Sequence, residues 1–332
     1  MAKPKVFITR WVPASVVENI ARECDLERNH EDRALTPEEL ASALNGKDGA
    51  LCHLTDRIDA PLIEKAASLK VIANVAVGFD NIDVKAATRR RILVTNTPGV
   101  LTDTTADFAF ALLLAAARRV TEADQFVRSG KWKEWKLDLM LGTDVHHSTL
   151  GIIGLGRIGT AVARRAAGFS MNLIYWMPKR AAAELEWELG ATYVSKEALL
   201  RDSDFISLHC PLKADTRHLI GETELEQMKR SAILINTARG PIVDEGALVR
   251  ALREHRIAGA GLDVFENEPR LNPELLTLPN VALAPHIASA SRQTRLRMAE
   301  IAAENLLAGV HGRIPPNVVN TELLSAQKSG SA

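Results

Sequence analysis

Ten short apolar runs recur along the chain, at 6–9, 49–54, 71–75, 93–96, 150–153, 173–176, 205–209, 233–236, 261–265 and 281–284. They are continuous rather than alternating, as strands covered on both faces of a parallel sheet are. Helical patterns such as 158–169, 224–228 and 245–254 lie between them. That alternation confines the chain to the α/β class, with doubly wound parallel sheets. A length of 332 residues suits about two such domains.

Two markers divide the runs. The turn Asn96-Thr97-Pro98-Gly99 is followed by Asp103-Thr104-Thr105, read as the cap of a long apolar helix from Ala106 to about Arg119. A second long helix is predicted over 289–308, before Ile314-Pro315-Pro316-Asn317. The expected organisation is one domain of 1–99 with 289–332, and a second, 100–288, inserted into it. The two helices would join the halves beside a cleft, where ligands usually bind. The small polar stretch 325–331 reads as a disordered tail.

Composition narrows the function classes. Lys+Arg and Asp+Glu both count 41, so nothing in the net charge draws the chain to nucleic acid or an anionic membrane. No apolar run approaches the roughly 20 residues of a membrane span. The start enters the first strand without a signal-peptide pattern. The three cysteines, Cys24, Cys52 and Cys210, form no C-x-x-C pair. The expectation is a cytoplasmic protein with neither a disulfide framework nor a metal site.

Gly151-Ile152-Ile153-Gly154-Leu155-Gly156-Arg157-Ile158-Gly159 places G-x-G-x-x-G between a strand and a helix. Gly154 would make the tight turn, Gly156 would let a pyrophosphate approach, and Gly159 would bring the helix against the sheet. The N–H groups around Arg157 and Ile158 are the expected anion site. Glycine-rich turns also serve as plain connections, but the strand–turn–helix context favours a dinucleotide. About 20 residues on, an acid should close the next strand and hold the adenosine ribose. Met177-Pro178-Lys179-Arg180 stands there instead. Either this is a solvated basic loop or it seats a 2′-phosphate, and the second reading is preferred. NADP is therefore the expected cofactor, with NAD possible, and a preference of roughly one to two orders of magnitude in kcat/KM.

Three polar residues follow three late strands: Arg239 in Asn236-Thr237-Ala238-Arg239-Gly240, Glu268 in Glu266-Asn267-Glu268-Pro269, and His286 in Pro285-His286-Ile287-Ala288. Singly they read as a surface arginine, a capping acid and a core histidine. Together they supply what reduction of a 2-oxo acid requires. A fixed cation holds the carboxylate, a donor protonates the carbonyl oxygen, and a carboxylate partners the imidazolium.

With these residues in place the chain resembles the D-isomer-specific 2-hydroxyacid dehydrogenases, most closely their glyoxylate/hydroxypyruvate reductases. The likeness runs from Leu54-Thr55-Asp56 through Val75-Ala76-Val77-Gly78-Phe79-Asp80-Asn81-Ile82-Asp83, 96–107 and Leu208-His209-Cys210-Pro211-Leu212 to Pro316-Asn317-Val318-Val319-Asn320. It implies two Rossmann-like domains, the discontinuous one for substrate and the inserted one for the dinucleotide. It implies that Arg239 grips the substrate carboxylate, that His286 gives the proton, and that Glu268 hydrogen-bonds the other imidazole nitrogen. The N–H groups of Val77 and Gly78 would cradle the carboxylate. Asp263, with Thr237 and Ala238, would hold the nicotinamide carboxamide. Thr105, Pro178, Cys210, Pro211 and Ala288 would be further cofactor contacts. A homodimer is implied, with Trp132 and Trp135 on its arm.

The chain also departs from the family pattern. The usual acid is Met177, a common glycine is Ala288, and the lysine of phosphite-oxidising relatives is Val77. His53 replaces a residue that is often apolar and either shapes the pocket or stands idle. Two other functions remain open: a dinucleotide-sensing co-repressor, and another member activity such as D-lactate dehydrogenase. The first would need peptide-docking and nuclear-targeting segments, and neither is visible.

Overall fold

The apolar runs assemble into two all-parallel sheets in a computed structural model that describes residues 2–324. The tail reading at 325–331 lies outside the described residues. The chain divides into two compact units, Met1–Leu101 with Ser291–Ala332, and Thr102–Ala290.

The first unit carries β1 (Lys5–Ile8), β2 (Asp25–Arg28), β3 (Gly49–Cys52), β4 (Val71–Asn74) and β5 (Leu93–Thr95), in the order β2-β1-β3-β4-β5. β3 and β4 are buried throughout. The helix Arg292–Val310, capped by Ser291, packs on β3 and β4. Gly49 and Gly309 let that helix lie close, since a Cβ at Gly309 would sit 2.7 Å from the Val71 side chain.

The second unit carries β6 (Thr149–Ile153), β7 (Asn172–Trp176), β8 (Ala191–Tyr193), β9 (Phe205–Leu208), β10 (Ile233–Asn236), β11 (Gly259–Leu262) and β12 (Val281–Leu283). Their order is β12-β11-β10-β9-β6-β7-β8. Neighbouring residues feed separate cores: Ile233 and Ile235 enter one, Leu234 the other. Both faces are therefore covered, and that is why the runs are continuous in sequence. The helix Thr102–Ala117 buries Ala106, Ala109, Phe110 and Leu113 in the first of these cores.

Several elements differ from expectation. The edge strands β2 and β8 went unread. β2 has the charged sequence Asp-Leu-Glu-Arg and stays largely exposed, so it carries no apolar signal. β11 begins at Gly259 and ends at Leu262, earlier than the predicted 261–265. Its Gly-Ala-Gly start carries only one methyl group to announce it, whereas the buried Val264 and Phe265 lie beyond the strand. Thr105 belongs to no cap: the helix already starts at Thr102, and Thr105 is buried inside it.

Candidate active site

The turn after β6 fits an anionic ligand. Gly154 has φ of +96°, and a Cβ there would lie 2.8 Å from the Cys210 nitrogen and 2.9 Å from the His209 carbonyl carbon. Only glycine satisfies both constraints. A Cβ at Gly159 would meet the Gly154 carbonyl oxygen at 2.2 Å, so the helix Arg157–Ala166 can start this close only with glycine. Gly156 is different, because a Cβ there would meet nothing within 4 Å. Its bareness serves no packing and leaves room for a ligand. No side chain caps the helix that follows, which leaves its first N–H groups able to donate to an anion.

Arg239, Glu268 and His286 come together past the ends of β10, β11 and β12. His286 Nδ1 and Glu268 Oε2 are 2.7 Å apart, and Glu268 Oε1 accepts from the Phe265 N–H at 3.0 Å. Burial pushes the Glu268 carboxyl up, but the His286 hydrogen bond and charge, the Phe265 N–H and the Arg239 charge outweigh it and hold it low. Glu268 is thus held as a carboxylate against the His286 ring. Arg239 is half-buried, and its guanidinium donates to the Ala238 carbonyl at 2.8 Å. Gly240 admits the chain here, since a Cβ would fall 1.9 Å from the Phe265 carbonyl.

His286 has φ of +55°, in the left-handed region that a histidine enters at a cost of about 1 kcal/mol. Asp263 holds it there. The fully buried carboxylate accepts from the Ile287 and Ala288 N–H groups at 2.7 and 2.8 Å, while the Asp263 carbonyl accepts from His286 N at 2.8 Å. Burial nevertheless leaves the Asp263 carboxyl above its ordinary range. Each oxygen keeps a second lone pair for another donor. Thr237 Oγ1 is buried without a hydrogen-bond partner nearby, two residues before Arg239.

In the first unit, Val77 and Gly78 follow β4. Their carbonyls accept from Asn96 Nδ2 at 2.8 Å and Asn74 Nδ2 at 2.9 Å. Asn81 links this loop to His53, donating to the His53 carbonyl at 3.1 Å. These asparagines were missed in the sequence, because nothing local marks them as struts.

Of the remaining cofactor candidates, Pro178 and Lys179 are exposed, Cys210 is half-buried with its thiol pushed up to about 11 by burial, and Pro211 is exposed. Arg180 does not stand alone: it is closed on Glu186 through two contacts of 2.8 Å. Glu186 was not anticipated. Among the described residues no group of three or more His, Cys, Asp or Glu is placed to hold a metal ion, and no helix is long and apolar enough to cross a membrane.

Comparison with known proteins identifies the family. The family described as "D-isomer specific 2-hydroxyacid dehydrogenase, NAD binding domain" matches residues 110–288. A glyoxylate reductase of Korarchaeum cryptofilum is 54% identical over 99% of both chains. Among solved structures, a glyoxylate reductase from Paecilomyes thermophila shares 35% identity with a TM-score of 0.87, over 97% of this chain and 100% of that one. The NADPH-dependent glyoxylate/hydroxypyruvate reductase of Sinorhizobium meliloti, solved with NADP and malonate, shares 34% with a TM-score of 0.84, over 96% and 97%.

Proposed function

The chain belongs to the D-isomer-specific 2-hydroxyacid dehydrogenases, and from that premise we propose that it reduces glyoxylate or hydroxypyruvate to the 2-hydroxy acid. It is an NAD(P)-dependent oxidoreductase. The single observation that carries the reading is Glu268 Oε2 lying 2.7 Å from His286 Nδ1, with Arg239 beside them. When bound, the reduced nicotinamide supplies the hydride. His286 Nε2 gives the proton to the carbonyl oxygen, Glu268 stabilises the imidazolium, and Arg239 takes the substrate carboxylate in charge-assisted hydrogen bonds.

The uncapped helix at Arg157 and Ile158, with Gly154, Gly156 and Gly159, would hold the pyrophosphate. Asp263, Thr237 and Ala238 would take the carboxamide, with Thr105, Cys210, Pro211 and Ala288 as neighbours. Pro178, Lys179 and Arg180 would face the adenosine ribose, and the two cations favour NADPH over NADH. In the substrate domain, 1–99 with 289–332, the braced Val77–Gly78 loop is suited to a carboxylate through its N–H groups. Domain 100–288 would be the dinucleotide domain. Trp132, Trp135 and Leu137 are 55, 74 and 81% exposed, which fits the arm of a homodimer. A sedimentation run at micromolar concentration that found monomer alone would refute it. Three free cysteines fit a cytoplasmic location.

The test is steady-state reduction of both 2-oxo acids by the native enzyme and by His286→Ala. Loss of a positioned proton donor lowers kcat by about 10²–10⁴. An unchanged kcat in the variant would remove His286 from the reaction.

A further inference from the structure

The chain has two tyrosines, and both hold the loop that follows β7. The ring of Tyr175 is fully buried, and its hydroxyl donates to Glu186 Oε1 at 2.5 Å while accepting from the Ala181 N–H at 2.9 Å. The Tyr193 hydroxyl donates to the Met177 carbonyl at 3.3 Å. The Arg180 guanidinium lies over the Tyr193 ring, 5.7 Å from its centroid. From that position Arg180 Nε meets Glu186 Oε1 at 2.8 Å and Nη2 meets Oε2 at 2.8 Å.

This cluster lies where the cofactor choice is made. β7 is the neighbour of β6, and in such a sheet the adenosine ribose falls at the end of the second strand. The sequence offers two cations there and no acid, but the fold returns an acid from the helix Ala183–Leu189. Glu186 occupies the paired N–H edge of Arg180 that a phosphate would use. It is not a loose surface carboxylate, because its side chain is only 12% exposed and Tyr175 anchors it. The Arg180 hydrogen bonds, with that of Tyr175 behind them, hold its carboxyl down at about 2, so its charge is permanent at working pH.

Resting on the reading of Lys179 and Arg180 as the 2′-phosphate seat, we propose that Glu186 is a specificity-determining residue. By closing on Arg180 it offsets the cation at the 2′ position and holds the preference for NADPH below what the basic loop alone would give. A 2′-phosphate carries a charge of about −1.5 to −2. It meets either a guanidinium whose fork is taken or a carboxylate it must displace. A 2′-hydroxyl meets neither penalty, so Glu186 acts on the ratio of the two cofactors.

The experiment compares kcat/KM for NADPH and NADH in the native enzyme, Glu186→Gln, Arg180→Ala and the double variant. Glutamine keeps an oxygen for Tyr175 and loses the charge. Glu186→Gln raises the NADPH/NADH ratio about fivefold through KM for NADPH, the scale of a screened surface charge. The gain disappears when Arg180 is also removed. A merely structural Glu186 would weaken both cofactors alike and leave the ratio where it was. If Arg180→Ala lowers the ratio while Glu186→Gln lowers it or leaves it unmoved, the acid orients Arg180 rather than opposing it, and the proposal is overturned. If Arg180→Ala leaves the ratio unchanged, the phosphate seat itself fails, and this inference fails with it.

Discussion

His53 and His209 hold matching places in two sheets of the same kind. Each stands one residue past the carboxyl end of its sheet's middle strand, His53 after β3 and His209 after β9. In both, burial drives the imidazole from the ordinary 6.5 down to about 4. For His53 the Asp56 charge opposes this, and Arg10 and Arg295 reinforce it. The partners set the two apart. His209 Nε2 is 2.8 Å from Ser207 Oγ, whereas His53 Nε2 is buried without a hydrogen-bond partner nearby. The backbone of His209 also borders the glycine turn after β6, its carbonyl carbon 2.9 Å from where a Cβ on Gly154 would lie. One topology thus carries one histidine whose ring nitrogen has a partner and one whose ring nitrogen has none. What a strand end does is decided by its side chains, not by the sheet that presents it.

The largest effect tests what the two share. Below pH 6.5 the unfolded chain takes up protons that both folded imidazoles refuse until about pH 4. Stability is therefore independent of these two groups above pH 6.5 and falls as pH drops from 6.5 toward 4, where the unfolded chain binds protons that the folded one does not. A shift of this size is worth about 3 kcal/mol for each histidine. Urea midpoints at pH 7, 5.5 and 4.5 should fall steadily, and His53→Leu and His209→Leu should each flatten the slope. If only one of them did, the histidines would not be alike in burial.

The next effect separates them. His209→Leu strands Ser207 Oγ, which is 2% exposed, and a buried hydroxyl without a partner costs about 1–3 kcal/mol. At pH 7 this variant should melt below the native enzyme. A His209→Leu enzyme as stable as the native one would leave the Ser207 contact without value.

How far this contrast could be read in advance differs by residue. Ser207 and His209 are two apart across the end of an extended run, and a period of two already puts them on one side. The orphaned Nε2 of His53 is a property of everything around it, and no local pattern announces an absence. The same division runs through the fold. β10 was legible to the residue because Ile-Leu-Ile-Asn is buried on both faces, while β2, an edge strand of charged residues, was silent. Arg239, Glu268 and His286 could be named because motif and chemistry agreed. The closure of Arg180 on Glu186 could not, because it depends on a helix folding back and two tyrosines fixing the loop.

The smallest effect concerns His53 alone. Removing a polar group that has no partner relieves a desolvation cost and breaks no hydrogen bond of its side chain. Leucine is close in volume, and the strand-end backbone contacts of residue 53 do not depend on the ring: its N–H donates to Asp56 at 2.8 Å and its carbonyl accepts from Asn81 at 3.1 Å. Asp56 in turn stays tied to Thr9 Oγ1. His53→Leu should accordingly be as stable as the native protein at pH 7 or more stable by up to about 1 kcal/mol, the opposite sign to His209→Leu. Thermal midpoints of the two variants, taken side by side at pH 7, read this directly. A His53→Leu protein that melted well below the native one would mean that the imidazole nitrogen has a partner in solution, such as a bound water bridging it to Asp56. The two strand ends would then be equally satisfied, and the contrast between them would collapse.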